Sequence, residues 1–397
     1  MITTINNKHN KLNVPNLRFP EFQGEWEKCK LGDLCNVLMC KRILASQTNT
    51  EEGVPFYKIG TIGNAPDAYI SKELFDDYKT KYNYPHKGEV MITCAGTVGK
   101  CIIYDGKDAY YQDSNIVWID NSSQCISNSF LYHLLAKVDW RKLNSTTIIR
   151  IYNDDLRNLK LSYPQIEEQQ KISRLLSFLD ERIATQSKLI EDLKKLKSAI
   201  IDYAINSLDT DFAKFSSLYE MAGECGTPTT SNASFYDNGK IPFVKIDDLK
   251  KKYLTENKDF ITELGLQKSS AWLVPTRSIL FSNGATIGEI TITTYPVCTK
   301  QGILGIVPKP NIDVEFLYYF MSSSYFRKAV SRIVTEGTMK TAYLKDINNI
   351  RCPIPKKEKQ LDIAKMPSAL NFKIDFEQSI LKLFGSQKQY LLRQMFM

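Results

Sequence analysis

The sequence predicts an α+β chain built as an internal repeat, in which two mixed domains of strands and short helices alternate with two long amphipathic helices. Three observations carry this. Short motifs recur in the same order at a nearly constant spacing. A heptad pattern closes each copy. Between the heptads, apolar residues fall in short β-branched and aromatic runs bounded by turn residues.

The first domain spans 1–164. Its Val54–Ile59 (VPFYKI) returns as Ile241–Ile246 (IPFVKI), 187 positions later. Ala95–Gly99 (AGTVG) matches Gly284–Gly288 (GATIG), and Phe130-Leu131-Tyr132 matches Phe316-Leu317-Tyr318. Asp155-Leu156 matches Asp346-Ile347, and Pro164 matches Pro355, both at an offset of 191. Stretches such as 89–93, 115–119 and 302–307 read as strands joined by turns.

The central helix is expected over 165–207. Apolar residues fall at Ile172, Leu176, Leu179, Ile183, Ile190, Leu193, Ile200 and Ala204, in alternating steps of four and three. Gln186 and Lys197 fill the two remaining core positions. Such a sustained heptad predicts coiled-coil packing. Pro164 followed by Glu167 and Glu168 suits a helix start. The second mixed domain spans 208–355 and the last helix 356–397. Adding 191 to the first seam gives Ile363, Pro367, Leu370, Ile374, Leu381, Phe384, Leu391 and Met395, with Glu377 and Lys388 as the polar interruptions. Two helices with matched interruptions pack on each other. The expected seam is Leu179, Ile183, Ile190 and Leu193 with Leu370, Ile374, Leu381 and Phe384, Leu179 meeting Leu370. Pro367 implies a late start, a kink or a supporting partner.

Composition narrows the class. The 397 residues are 43% hydrophobic and 24% charged, which suits a globular chain and argues against disorder. No apolar run approaches the ~18 residues of a membrane span, and Met1–Asn10 lacks an apolar leader core. Nine scattered cysteines without a CxxC pair suit a reducing compartment. The expectation is a soluble cytoplasmic protein. Net charge is +8, yet residues 1–164 hold 20 basic against 18 acidic groups and 208–355 hold 17 against 15. Any nucleic acid would therefore be held by placed cations rather than by a bulk charge.

Enzyme motifs are missing. Ala95–Lys100 resembles a phosphate loop but has Cys94 and Cys101 where that loop needs glycine and Ser/Thr. A tight strand-to-strand turn fits better. His9, His86 and His133 are far apart and give no zinc spacing. Glu256 and Lys258 after Asp247 and Asp248 only loosely match a nuclease carboxylate–lysine set. A self-contained methyltransferase or nuclease is the weaker alternative, and a scaffold without DNA contact is the third.

Val14–Phe22 (VPNLRFPEF), Gly24-Glu25-Trp26 and Leu31-Gly32-Asp33-Leu34 resemble the opening of Type I restriction–modification specificity subunits. Glu168-Gln169, Lys171-Ile172 and Leu179-Asp180 resemble the start of that family's central helix, and Leu391–Phe396 its ending. The resemblance implies two target-recognition domains joined by an antiparallel coiled-coil helix pair with pseudo-two-fold symmetry. Each domain would read half of a split, asymmetric site in double-stranded DNA. It implies no catalysis, metal or cofactor in this chain. S-adenosylmethionine, ATP and Mg would belong to partners, namely two methyltransferase subunits and restriction/translocase subunits. Two departures stand out: Lys359-Gln360 replaces Glu-Gln at the second helix, and Cys40-Lys41-Arg42 stands where the second domain has Gly226-Thr227-Pro228. Core positions spanning about 33 residues give ~50 Å of helix at 1.5 Å per residue, enough to separate readers by one DNA turn of ~34–36 Å.

Base contacts need Arg, Lys, Asn, Gln, Ser or Thr delivered by loops on a rigid frame. Candidates in the first domain are Lys41, Arg42, Lys58, Thr97, Lys100 and Arg150. In the second they are Lys245, Ser282, Asn283, Thr286, Lys300, Thr338, Lys340 and Thr341.

Overall fold

A computed structural model describes residues 3–4, 13–142, 150–284, 286–334 and 340–397. The chain forms two compact units, one of residues 1–185 with 381–397 and the other of 186–380. Among the described residues no helix is long and apolar enough to cross a membrane.

The first unit is built on an antiparallel sheet of β1 (Asn36–Met39), β2 (Val90–Thr93), β3 (Cys101–Ile103) and β4 (Ile116–Asp120), in the order β1-β4-β2-β3. Strand side chains alternate between faces, so β4, apolar from Ile116 to Ile119, serves two cores. Val117 and Ile119 join α1 (Asn128–Lys137) and α2 (Ile166–Asn206). Ile116 and Trp118 face the other way, toward a small sheet of Val54–Tyr57, Tyr69–Ile70 and Tyr110–Tyr111.

The second unit repeats this plan with β5 (Tyr219–Glu224), β6 (Ile279–Ser282), β7 (Ile290–Thr293) and β8 (Ile303–Pro308) in the matching order β5-β8-β6-β7, extended by Tyr253–Leu254. α3 (Val314–Ser322) and α4 (Lys357–Met395) pack on it. One exchange marks the divergence of the copies. Gly305 stands where the first copy has Trp118, and a Cβ there would lie 2.6 Å from Val274 and 2.8 Å from Trp272. The indole comes instead from Trp272 in the segment before β6, so the β8 position must stay empty.

Each long helix is fastened to its sheet by a buried glutamine. Gln169 accepts from the Ser127 N–H at 2.7 Å and donates to the carbonyls of Cys125 and Pro164, both at 2.9 Å. Gln360 accepts from the Asp313 N–H at 2.7 Å and donates to Asn311 at 3.2 Å and Pro355 at 2.8 Å. Ser127 and Asp313 are the N-caps of α1 and α3. The neighbouring residues differ for a clear reason. Glu168 is buried and takes a two-pronged ion pair from Arg18 at 2.7 and 2.8 Å, tying the N-terminal arm to α2. Lys359, at the same step of α4, is exposed.

The helices run antiparallel within each unit. Lys388 pairs with Asp180 in the first, while Gln186 meets Glu377 and Lys197 meets Asn371 in the second. The expected meeting of Leu179 with Leu370 is therefore corrected: antiparallel copies meet at equal steps only near their crossing point, here Gln186 and Glu377, and Leu179 lies seven residues to one side of it. Leu179 instead joins Ile183, Phe384 and Leu391 in the first unit's core. Ile190 and Ile374 are buried, and Leu193, Leu370 and Leu381 are half-buried. The end of the α2 seam also moves by one residue, to Ile201 and Ile205 rather than Ile200 and Ala204. α4 starts at Lys357 and continues through Pro367, so it does not start late. The proline leaves the Ile363 carbonyl without its helical donor. The next residue is gripped instead: the buried Lys252 ammonium lies 2.9 Å from Ser368 Oγ and 2.7 Å from Glu315. Burial pulls Lys252 below the ordinary lysine range. Burial opposes ionisation of Glu315 too, but hydrogen bonds from Lys252, Ser368 and Tyr253 outweigh it and hold that carboxyl low.

Replacing Gln169 by alanine should remove three hydrogen bonds, one of them to the buried Pro164 carbonyl, and cost about 1–3 kcal/mol, read by urea denaturation; Gln360→Ala should behave alike. A second prediction concerns His133, which is 1% exposed, with Asp180 3.9 Å away. Burial pushes its imidazole from 6.5 down to about 4. The unfolded chain then binds a proton that the native state refuses, so stability is lost as pH falls from 6.5 toward 4. His133→Gln should flatten that window, worth about 2–3 kcal/mol at its acid end, measured by denaturation at pH 7 and pH 4.5.

Candidate nucleic-acid interface

Both units carry the same backbone knot at one end of the main sheet. In the first, the Cys94 N–H bonds to the Asn115 carbonyl at 2.8 Å and the Ile151 N–H to the Cys94 carbonyl at 2.9 Å. In the second, Asn283 bonds to Gly302 at 3.0 Å and Ala342 to Asn283 at 2.9 Å. The turn entering each knot is pinned alike, Gln112 to Tyr57 and Lys300 to Val244, both at 2.9 Å. This register makes Lys58 the partner of Lys245, Gln112 of Lys300, and Arg150 of Thr341.

Around the first knot the structure gathers Arg42, Lys58 and Arg150. Arg42 Nε bonds to Asp113 at 2.5 Å, and Arg150 Nη2 reaches Ser114 Oγ at 3.2 Å. Lys58 pairs with Asp67 at 3.2 Å. A cleft of about 320 Å³ is lined by Arg42, Thr48, Lys58, Gln112, Asp113 and Asn115, among others. Thr97 is exposed on the hairpin between β2 and β3, which Thr93 closes by donating to the Thr97 carbonyl and accepting from the Lys100 N–H. Gly96 and Gly99 take left-handed φ of 64° and 83° there, and a Cβ on Gly99 would run into Trp140. The Lys100 ammonium bonds the Ile62 carbonyl, bracing the hairpin. Lys41 is set apart, its ammonium 5.3 Å over the Tyr82 ring on a separate cleft.

Around the second knot, Lys245, Thr286, Lys300 and Lys340 are exposed and Thr341 is half-buried. Lys245 pairs with Asp259 at 2.8 Å. Ser282 and Asn283 are corrected to framework positions, since they are 0% and 1% exposed. Ser282 donates to Thr286 and accepts from Glu289, while Asn283 donates to Ala342 and Glu224. The Ser282 hydroxyl and the Asn283 amide nitrogen serve the loop itself. Thr338 lies outside the described residues.

Sequence reasoning missed Gln112, Asp113 and Asn115 in the first unit and Thr227 and Gln301 in the second. The signal was present as a polar run, 112–115, between two apolar strands, matched by 300–302. Strand pairing corrects the earlier match by one residue: Met39 faces Val117 as Glu224 faces Leu304, so Arg42 corresponds to Thr227 rather than Pro228. Thr227 Oγ1, accepting from the Gln301 N–H at 2.9 Å, thus occupies the place of the Arg42–Asp113 contact. Among the described residues no group of histidine, cysteine, aspartate or glutamate is arranged to hold a metal ion. Burial raises the Cys94 and Cys101 thiols to about 12, so both act as small apolar side chains.

The family model described as the Type I restriction modification DNA specificity domain matches twice, over residues 23–195 and 211–383. A putative type I restriction enzyme specificity subunit of Haemophilus influenzae is 48% identical over 164 residues, 41% of this chain and 42% of that protein, so the match spans less than half of that relative. The putative MjaX specificity subunit of Methanocaldococcus jannaschii is 22% identical over 90% of this chain and 89% of its own length. The crystal structure of a Type-I restriction-modification S subunit from M. genitalium covers 97% of this chain and 99% of its own, with a TM-score of 0.59 at 17% identity. That agreement is one of fold.

Proposed function

Because the chain belongs to the family of Type I restriction–modification DNA specificity domains, which match it twice, we propose that it is the sequence-reading subunit of such a system, each unit reading one half of a bipartite, asymmetric site in double-stranded DNA. The observation that carries this reading is the duplicated knot with its ring of exposed and half-buried donors. One copy presents Arg42, Lys58 and Arg150, and the other presents Lys245, Lys300 and Thr341. The frames coincide while the side chains differ, as two different half-sites require.

Chemistry belongs to partners in this proposal. Two methyltransferase subunits would use S-adenosylmethionine, restriction/translocase subunits would use ATP and Mg, and the complex would work in the cytoplasm. Exposed apolar side chains on the long helices support docking of other subunits: Phe178 and Leu383 in the first unit, and Leu196, Tyr203, Phe372 and Phe376 in the second. The chain alone is expected neither to methylate nor to cut DNA, and labelled-methyl transfer by the isolated chain would contradict this.

Mapping methylated sites in host DNA, with and without the chain, tests the whole reading. Exchanging residues 208–355 for the matching domain of another subunit should change one half-site and keep the other. A swap that rewrote both halves would refute separate reading. Phosphate contacts should show in salt dependence: Lys300→Ala should weaken binding across sequences and reduce the slope of log K against log salt by about 0.9.

A further inference from the structure

We infer that Arg42, aimed by Asp113, reads a guanine in the first half-site; this rests on the DNA-reading role just proposed and names one contact within it.

The geometry is that of a held fork. Asp113 Oδ2 takes the Nε end of the guanidinium at 2.5 Å. The aspartate side chain is only 15% exposed, while that of Arg42 is 70% exposed. Neither terminal nitrogen of Arg42 makes a hydrogen bond among the described residues, so the Nη1–Nη2 edge faces outward from a fixed root. Arginine's planar donors suit a pair of acceptors rather than a single one. In the major groove only guanine offers two adjacent acceptors, O6 and N7; adenine pairs its N7 with a donor, cytosine shows a donor, and thymine a single O4. A lysine or a freely swinging arginine would settle on phosphate as readily. The Asp113 bond removes much of that freedom, and ordering the fork before binding reduces the entropy lost on contact.

The second copy supports assigning this contact to one half only. Thr227 and Gln301 occupy the corresponding junction, with the Thr227 hydroxyl accepting the Gln301 backbone N–H. Among the described residues, neither of these two is a cation. The position therefore distinguishes the two units on otherwise matched frames.

The test uses the full chain with its methyltransferase partners. Methylated sites are first mapped for the unaltered protein and for Arg42→Ala and Asp113→Asn. Arg42→Ala should lose preference at one guanine of the first half-site by roughly 5- to 150-fold, the worth of a bidentate base contact. Asp113→Asn should loosen preference at that same position, and the second half-site should keep its sequence in both. Binding is then measured on duplexes of the mapped site in which each first-half guanine in turn is 7-deazaguanine, which keeps its pairing and O6 but lacks N7. One replacement should account for much of the loss, and Arg42→Ala should no longer sense it. This second arm uses the unaltered protein and so does not depend on how a variant folds. The inference is overturned by a first half-site without guanine, by indifference to every replacement, or by Arg42→Ala keeping its preference. Weakening that is uniform across sequences, with a shallower salt slope, identifies a phosphate contact and overturns it as well. If methylation at neither half-site depends on the chain, the DNA-reading role itself fails, a result distinct from all of these.

Discussion

The buried glutamine at the start of each long helix is the contact on which the architecture rests. One buried side-chain amide satisfies an N-cap N–H and two carbonyls. Its two ends are chemically opposite, so it accepts one rotation of the helix against the sheet and resists others. The second copy reproduces the arrangement with Asp313, Asn311 and Pro355. Apolar packing supplies most of the attraction between helix and sheet but is tolerant of sliding. The glutamine sets the angle, and with it the position of the knot at the sheet's end.

From that frame the reading surface follows by short steps. β4 and β8 divide their side chains between two cores, which makes each main sheet the wall shared by the helix layer and the small satellite sheet. The knots form where these strands begin. Residues beside them stand on backbone hydrogen-bonded from both sides, which is how a loop can present a donor with little freedom. Ser282 and Asn283 show the other side of this arrangement. Polar residues so close to the knot are consumed in holding it, and their chemistry is turned inward.

Much of the fold was legible because periodicity is a local property. The heptad positions and the duplicated motifs can be counted along the chain, and the strands at 90–93, 116–120 and 303–308 follow from short apolar runs. Three features were not countable in that way. Antiparallel order sends Leu179 to Phe384 and Leu391, a fact about direction that equal-offset arithmetic misses. The seam's shift to Ile201 and Ile205 reflects drift of a 3.6-residue helix against a strict 3.5-residue repeat. Asp113 lies in a visible polar run, but its importance depends on Arg42, 71 positions away, arriving through a turn. Arg42 itself was visible as an exposed cation in a loop; the pairing that orients it was not. Lys252 illustrates the same limit. Nothing near it in sequence announces that it reaches Ser368, beside the proline inside α4.

The two units differ in how they are sewn from the chain. The second is one continuous stretch, 186–380, whereas the first closes only when residues 381–397 come back to it. Leu391, Leu392, Met395 and Phe396 sit in the same core as Leu31 and Val90, and the Phe396 ring packs 4.9 Å from that of Phe130. During synthesis, then, the portion made first is finished last. Its sheet must wait with an apolar side uncovered while some two hundred further residues emerge and fold on their own account, at about 5–20 residues per second. For those seconds the newborn chain is a sticky half-structure. Truncation near the far end would leave the earlier half permanently open, so a lesion in the last turn of α4 acts across most of the chain's length on the strands it exposes.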